Sequence, residues 1–475
     1  MITRIEAENY RCFRSLRVNL TEYQVIIGVN GAGKSTLLDI PVALGELLSR
    51  PVGEVFADRC YGMDELLHFG KADKQLGDAF LLAVEATIPD DIRTTLEGFT
   101  RPSDLQHLDR LRWELLVTLN DRRFLAIDTE RVWLLGHADG AEPAPVGNGL
   151  TEPGTQPGKF QILERTGQSA GAWLSFLVET PKPGVGKRGR PAKSVEQDVT
   201  QGTATRDASY PVDAGRVAMA QIPISGELGT AVQWLREMFA QKAVVYDPDP
   251  RILSEPRPGD RPDNVQEDAG NFPWLLLGMQ DALKSTATYQ KENRSTKTNE
   301  NANAVSTFVR GDALHEWLGH VRTALPNIVS IIAHRERGGR KAYIEVTYQG
   351  APGHVFAVTS NSLSAGTWRL LTLTFLAYQS QPRPLVIGIE EPETALHPLA
   401  ISTVLDSLRS LYGSQVMVAT HAPMVLAKTD IDDIVVLSRD SSGAVTALRG
   451  REHPALATWK KGAPLSVLMA SSVLS

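Results

Sequence analysis

Residues 28–35, Gly28-Val29-Asn30-Gly31-Ala32-Gly33-Lys34-Ser35, satisfy the spacing G-x-x-x-x-G-K-[ST]. They follow a short apolar run at 24–28 and precede an apolar-periodic stretch at 36–48. A strand, a glycine-rich turn and a helix in that order form a phosphate cradle. The glycines let backbone N–H groups converge on phosphate oxygens, and the helix N-terminus adds favourable partial charge. Asn30, Gly31 and Gly33 line the cradle, Lys34 reaches the β- and γ-phosphates, Ser35 offers its hydroxyl to Mg²⁺, and Thr36 begins the helix.

More than three hundred residues later, an apolar run at 384–389 ends in Glu390-Glu391-Pro392-Glu393. Carboxylates at the C-terminal end of a buried strand stand where ligands sit in parallel sheets. One carboxylate can hold a magnesium shell while the next polarises an attacking water. Assigned that way, Glu390 serves the metal and Glu391 is the general base. An acidic pair after a strand can also be a solvated turn; the phosphate loop elsewhere in the chain favours the catalytic reading. Residues 362–369 precede a helical pattern, with Ser364 suited to capping it. That helix N-terminus and hydroxyl either meet a γ-phosphate or form an ordinary cap. His421 follows an apolar run at 415–419, placed to hydrogen-bond a terminal phosphate or to serve structure alone.

The elements that must position these groups are legible in outline. Ile2, Ile5 and Ala7 fit one strand and Leu16, Val18 and Leu20 an antiparallel partner. Residues 80–88, 113–119 and 123–129 read as further strands, giving a strand-rich lobe around the phosphate loop. Helical patterns cover 228–241, 274–287 and 313–324. Residues 342–348 and 354–358 alternate as an antiparallel pair. Helices at 366–378 and 400–412 then interleave with strands at 384–389, 415–419 and 434–437, which implies a mainly parallel sheet flanked by helices. Between them lie segments of Gly, Pro and polar residues at 140–159, 179–210, 247–270 and 290–303. The second of these is too poor in apolar side chains to offset its ordering entropy, so it reads as a mobile insertion. The resulting division is an N-terminal lobe at 1–130, an insertion region at 131–270 and a C-terminal lobe at 271–475.

Composition narrows the class. The chain has 475 residues and a formal charge of −6, so any nucleic-acid contact must come from a local patch. Two cysteines, Cys12 and Cys60, are too few for a disulfide framework, and no stretch reads as a signal peptide or membrane span. A cytoplasmic protein is the expectation.

These motifs, in this order, resemble ABC-type AAA-family ATPases of the SMC/RecF/Rad50 kind, above all the group of the overcoming-lysogenisation-defect (OLD) proteins. The opening Ile5-Glu6-Ala7-Glu8-Asn9-Tyr10-Arg11-Cys12-Phe13 is similar to their I-x-x-x-N-[FY]-[RK]-x-[FY] stretch. Residues 363–369 resemble the signature L-S-x-G-x-x-R, residues 391–398 match E-P-E-x-x-L-H-P, and residues 420–423 match T-H-[SA]-P. Residues 271–275, Asn-Phe-Pro-Trp-Leu, resemble the segment before the second-lobe helices. The likeness covers roughly residues 1–120 and 270–440. It implies an α/β ABC-type head with an antiparallel N-terminal lobe, binding ATP and Mg²⁺ and hydrolysing ATP. It also implies a homodimer, or a larger assembly, with ATP sandwiched between subunits. Ser364 and Gly366 would touch the γ-phosphate of the opposite subunit, His421 would sense it in cis, and Arg11 is carried over as a nucleotide contact. Glu390 departs from the family, whose members mostly carry Asp there; its longer arm reaches magnesium through water. Gln75 falls in the interval of a Q-loop, without a convincing Q-loop pattern.

The sequence lacks sustained heptads between the lobes and lacks an acidic TOPRIM pattern after His421, so neither a coiled-coil arm nor a nuclease domain is expected in this chain. Lys187-Arg188-Gly189-Arg190-Pro191-Ala192-Lys193 resembles an AT-hook core. Arg188 and Arg190 can enter a narrow A·T minor groove, or the segment is a plain solvated loop. Two readings follow. The first is a DNA-related sensor or motor in bacterial antiphage defence or genome maintenance, acting with a separate nuclease or toxin. The second is an ATP-bound scaffold that holds and releases such an effector, with slow turnover. A transporter subunit fits the phosphate chemistry but not the E-P-E-x-x-L-H-P motif.

Overall fold

A computed structural model describes residues 1–68, 77–97, 108–120, 124–136, 159–166, 171–177, 205–222, 226–240, 243–259, 265–293, 313–379, 386–440 and 443–457. Gln75 and the basic stretch 187–193 lie outside the described residues. The chain divides into two compact units, each assembled from separate stretches: residues 1–20, 40–241 and 439–447, and residues 21–39, 242–438 and 448–475.

The first unit is built on an eight-stranded sheet. Its order is Phe13–Asn19, Ile2–Tyr10, Ala79–Thr87, Leu108–Leu119, Leu125–Gly136, Lys159–Thr166, Gly171–Leu177 and Thr205–Pro211. Every neighbouring pair is antiparallel. Side chains directly opposite one another share a face, so the register sorts the residues into two rows. Ile5, Val84, Trp113 and Val132 form an apolar row, each at most 1% exposed. Trp113 packs on Phe239 of the helix Gly226–Ala240, and Phe56 packs on Tyr10 and Phe80. Burying such aromatic and aliphatic side chains stabilises the unit by about 1.5–3 kcal/mol each.

The adjacent row runs Arg4, Glu85, Arg112 and Trp133; its first three residues are charged, and Glu85 and Arg112 are nevertheless buried. One region expected to be irregular is structured here. Thr205–Pro211, all but its last residue inside the segment 179–210 read as a mobile insertion, pairs along its whole length with Gly171–Leu177. Its polar side chains hide a strand whose ladder is made by the backbone. Lys159–Thr166 and Gly171–Leu177 are likewise strands beyond those expected from the sequence pattern.

The second unit holds a parallel sheet in the order Ala243–Val245, Val386–Glu390, Gln415–Thr420, Tyr23–Ile27 and Ile434–Arg439. The expected strands are in place, and each is an apolar run because both faces of a parallel sheet are covered. A separate antiparallel sheet pairs Lys341–Gln349 with Ile328–Arg335, Arg257–Pro258 and Val355–Thr359. Ile328–Arg335 is an additional strand; a register shift between Ile328 and Ser330 breaks the alternation that would reveal it.

Helices Phe272–Asn293, Ala313–Ala324, Ala365–Phe375 and Pro398–Arg409 complete the unit. Phe272, Trp317, Trp368 and Phe375 form their aromatic centre, with ring centroids 5.0–6.3 Å apart. Residues 247–270, read as a connector, include the short helix Pro250–Leu253, whose N-cap Asp249 accepts a bond from Arg251 N. Among the described residues no helix is long and apolar enough to cross a membrane.

Candidate functional site

Register brings the chemistry to one edge of the parallel sheet. Ile27 is level with Thr420 and with Val436, and Ala419 is level with Glu390. The phosphate loop, the Glu390–Glu393 turn and His421 therefore leave their strands at the same C-terminal edge.

Glycine is required where the loop starts. A Cβ on Gly28 would lie 2.4 Å from the Leu437 carbonyl oxygen. Gly31 and Gly33, at φ +76° and +89°, turn the backbone through the left-handed region that side chains disfavour. The helix Lys34–Leu47 that follows has no acidic residue in its first turn, so its N-terminal N–H groups face no competing carboxylate from their own helix. At Gly388 a Cβ would meet Leu38 Cβ and Val245 Cγ2, each at 3.3 Å, so the small residue lets this helix seat closely on the acidic strand.

That seating joins two predicted residues 355 positions apart: Ser35 Oγ donates to Glu390 Oε2 at 2.9 Å. Lys34 Nζ donates to the carbonyls of Gly28 (2.8 Å) and Val29 (3.2 Å), which holds the ammonium along the loop. Burial lowers the Lys34 pKa, while Glu391, Glu390 and Glu393 pull it up. Asn30 and Gly31 are exposed, as a ligand-facing loop requires.

Glu391 sits at φ +41°, a strained conformation for a non-glycine residue. Its N–H donates to Ala419 O at 2.8 Å, and its Oε1 lies 2.6 Å from His421 Nδ1. Two positions on, Glu393 Oε1 accepts from Thr420 Oγ1 at 2.6 Å, and that hydroxyl accepts from Ala422 N at 2.9 Å. Burial raises the Glu393 pKa against the opposing Thr420 bond. The two carboxylates of one turn thus hold consecutive residues of the histidine segment.

Arg369 stands in the sequence only as the last letter of a motif. Its buried guanidinium donates to the Asp247 carboxylate (2.9 Å) and to the carbonyls of Glu390 and Glu391 (3.0 Å each). The signature helix Ala365–Phe375 is thereby fastened to the peptide that carries the predicted base. Gly366 brings it closer still, since a Cβ there would lie 2.3 Å from Ala395 O. Ser364 is exposed and caps this helix, its Oγ accepting from Thr367 N at 3.1 Å. Arg11 lies in the first unit, at φ +51° in the turn after Ile2–Tyr10, with its N–H bonded to Leu66 O.

The donor set suits magnesium. One hydroxyl and one carboxylate, both hard oxygens, meet at the start of the phosphate-loop helix, and Mg²⁺ keeps most of its shell as water and phosphate oxygen. No group of three or more His, Cys, Asp or Glu arranged for a metal occurs among the described residues. Ser35 and Glu390 would hold the ion.

A glycine cradle, a lysine, a hydroxyl–carboxylate pair and a fastened helix thus meet on one sheet edge, an arrangement suited to binding a phosphate group. Residues 252–427 match the family model described as "AAA domain, putative AbiEii toxin, Type IV TA system", and residues 1–42 match the AAA ATPase domain model. The Old nuclease of Escherichia phage P2 is 31% identical over 91 residues, which cover 17% of this chain and 16% of that protein. The match thus spans about a sixth of the relative's length. Among solved structures, an Smc head bound to the C-terminal winged-helix domain of ScpA superposes with a TM-score of 0.48 at 12% identity, covering 94% of this chain and 97% of that one. An Smc head with an extended coiled coil, bound to the C-terminal domain of ScpA derived from Pyrococcus furiosus, gives 0.44 at 12% identity, covering 94% and 96%. Over residues 1–42 and 252–427 the chain is thus similar to AAA-family ATPase domains.

Proposed function

We propose that the second unit binds ATP with magnesium at this sheet edge and hydrolyses it by direct attack of water on the γ-phosphate. The observation that carries this reading is the Ser35–Glu390 contact, which joins phosphate loop and acidic turn into one site. Mg²⁺ held by Ser35 and Glu390 would supply charge neutralisation at the phosphates. The chain's own groups do the rest. The N–H groups of residues 30–36 cradle phosphate oxygens, and Lys34 leaves the Gly28 and Val29 carbonyls to reach the terminal phosphates. Glu391 takes the proton of the attacking water, and His421, now beside Glu391, bonds the γ-phosphate. Positioning and charge stabilisation supply most of the acceleration.

In this reading two copies assemble head to tail, with Ser364 and Gly366 of one copy completing the nucleotide site of the other and Arg11 as a further nucleotide contact. The output is DNA-related and serves antiphage defence or genome maintenance through a separate nuclease or toxin, with Arg188 and Arg190 in a minor groove. One observation favours the slower, scaffold-like variant: Glu391 Oε1 is already held by His421, and that contact must open before the carboxylate can act.

The test is ATP-analogue binding and phosphate release. Lys34→Ala removes a charge-assisted contact to phosphate, so affinity should fall by about a hundredfold and hydrolysis to background. Wild-type hydrolysis in this variant would refute the assignment.

A further inference from the structure

The strands Ile328–Arg335 and Lys341–Gln349 form a hairpin whose tip has no part in the nucleotide site. We propose that this tip, through Arg337, Arg340 and Lys341, docks on the phosphate backbone of double-stranded DNA. The inference rests on the DNA-related reading above and adds to it a contact surface within the second unit.

Within residues 335–341 four cations accompany one acid, in a chain whose formal charge is −6. Arg335 is engaged in packing, since its guanidinium lies 5.8 Å from the Trp274 ring centroid and 3.1 Å from Asp281 Oδ2. Arg337, Arg340 and Lys341 are exposed, and among the described residues no ion pair engages them. Three like charges within five residues repel one another, so a merely structural turn would gain from pairing or removing them.

The tip is also presented firmly. Glu336 N bonds Lys341 O and Gly339 N bonds Glu336 O, both at 2.9 Å, while Gly259 N braces Arg340 O from the neighbouring strand. Gly338 and Gly339, at φ +103° and +71°, have open space where a Cβ would stand, leaving bare backbone between the two arginines. Lys341 and Ala342 are also paired with Pro258 and Arg257, so the tip is the corner of a sheet and meets the duplex at its phosphates rather than entering a groove. Single-strand binding instead needs open aromatic faces. The nearby aromatics, His334 and Tyr343, are stacked on each other at 5.4 Å.

The experiment uses the full chain, a short labelled duplex, and fluorescence anisotropy at about 50 and about 200 mM salt. The R337Q/R340Q/K341Q variant should bind the duplex at least about tenfold more weakly at the lower salt. Its salt dependence should flatten by about 2.7 in log–log slope, three contacts at about 0.9 each. ATP-analogue binding should be unchanged, which reports an intact fold and separates this test from the nucleotide reading. Equal affinity and slope for variant and wild type would overturn the proposal while leaving the DNA-related reading in place. No duplex binding by the wild type would overturn both. A loss confined to single-stranded DNA, or to an acidic polypeptide such as polyglutamate, would assign the tip to a different partner and overturn it as well.

Discussion

In the first unit Arg112 is completely buried against Glu6, Glu85 and Glu114, at 2.7, 3.1 and 2.6 Å. In the second, Glu391 stands at a strand end with 40% of its side chain exposed, on a strained backbone, against a histidine that is itself half exposed. Burial alone would pull the Arg112 guanidinium down; Glu114 and Glu6 outweigh it and hold the pKa above its ordinary value. Glu114 further accepts from Trp133 Nε1 at 3.2 Å. A charge so fully satisfied has nothing left to offer a substrate and works as a structural tie. The acids of the second unit keep coordination capacity in reserve, and that reserve marks a site.

Changes in each region should therefore report differently, and the largest expected effect lies in the tie. Arg112→Ala removes the cation shared by three buried carboxylates, of which Glu6 keeps Arg4 and Glu85 keeps Arg110, and should cost about 3–5 kcal/mol, read as a lower urea midpoint. A loss below about 1 kcal/mol would mean that water or rearrangement compensates the acids.

Glu130 extends the contrast. It is buried and accepts from Trp113 Nε1, Met219 N and Ala218 N, and desolvation raises its pKa to about 7 against those donors. An acid whose folded pKa lies above its unfolded value contributes its stabilisation at low pH. The contribution fades as pH rises from about 4.5 through about 7. Unfolding free energy should fall over that window by on the order of 3 kcal/mol. Glu130→Gln should flatten that slope whatever its own cost; an equally steep slope in the variant would exonerate Glu130.

The smallest effect should come from Arg369→Lys, which keeps the charge but loses the fork that spans Asp247 and two carbonyls. Hydrolysis should fall about tenfold, with ATP-analogue affinity nearly unchanged, because the peptide carrying Glu391 is less well held. A loss of affinity equal to the loss of rate would make Arg369 a structural residue only.

Much of the second unit is legible in the sequence because its signals are local. A glycine turn between an apolar run and a helix, and carboxylates or a histidine after apolar runs, each declare a strand end without reference to the rest of the chain. What escapes notice depends on tertiary packing. Nothing near Arg369 announces that its guanidinium will meet the Glu390 and Glu391 carbonyls, and Asp247 lies in a stretch that reads as a connector. Gly366 is expected as a phosphate contact, and its close approach to Ala395 cannot be seen in sequence. In the first unit, Thr205–Pro211 is obscured because an edge strand held by backbone bonds needs little apolar patterning. The buried Arg112 cluster is hidden for the opposite reason: alternating charged residues look solvent-facing until the register stacks them.

If Glu391 and the phosphate loop serve one reaction, removing the basicity of that carboxylate must stop the chemistry and spare the binding. Glu391→Gln preserves the side chain's shape while making that change. Single-turnover hydrolysis of ATP should slow by about 10²–10⁴-fold, with ATP-analogue affinity within about twofold of wild type. A single-turnover rate equal to the wild type's would show that Glu391 is not the base.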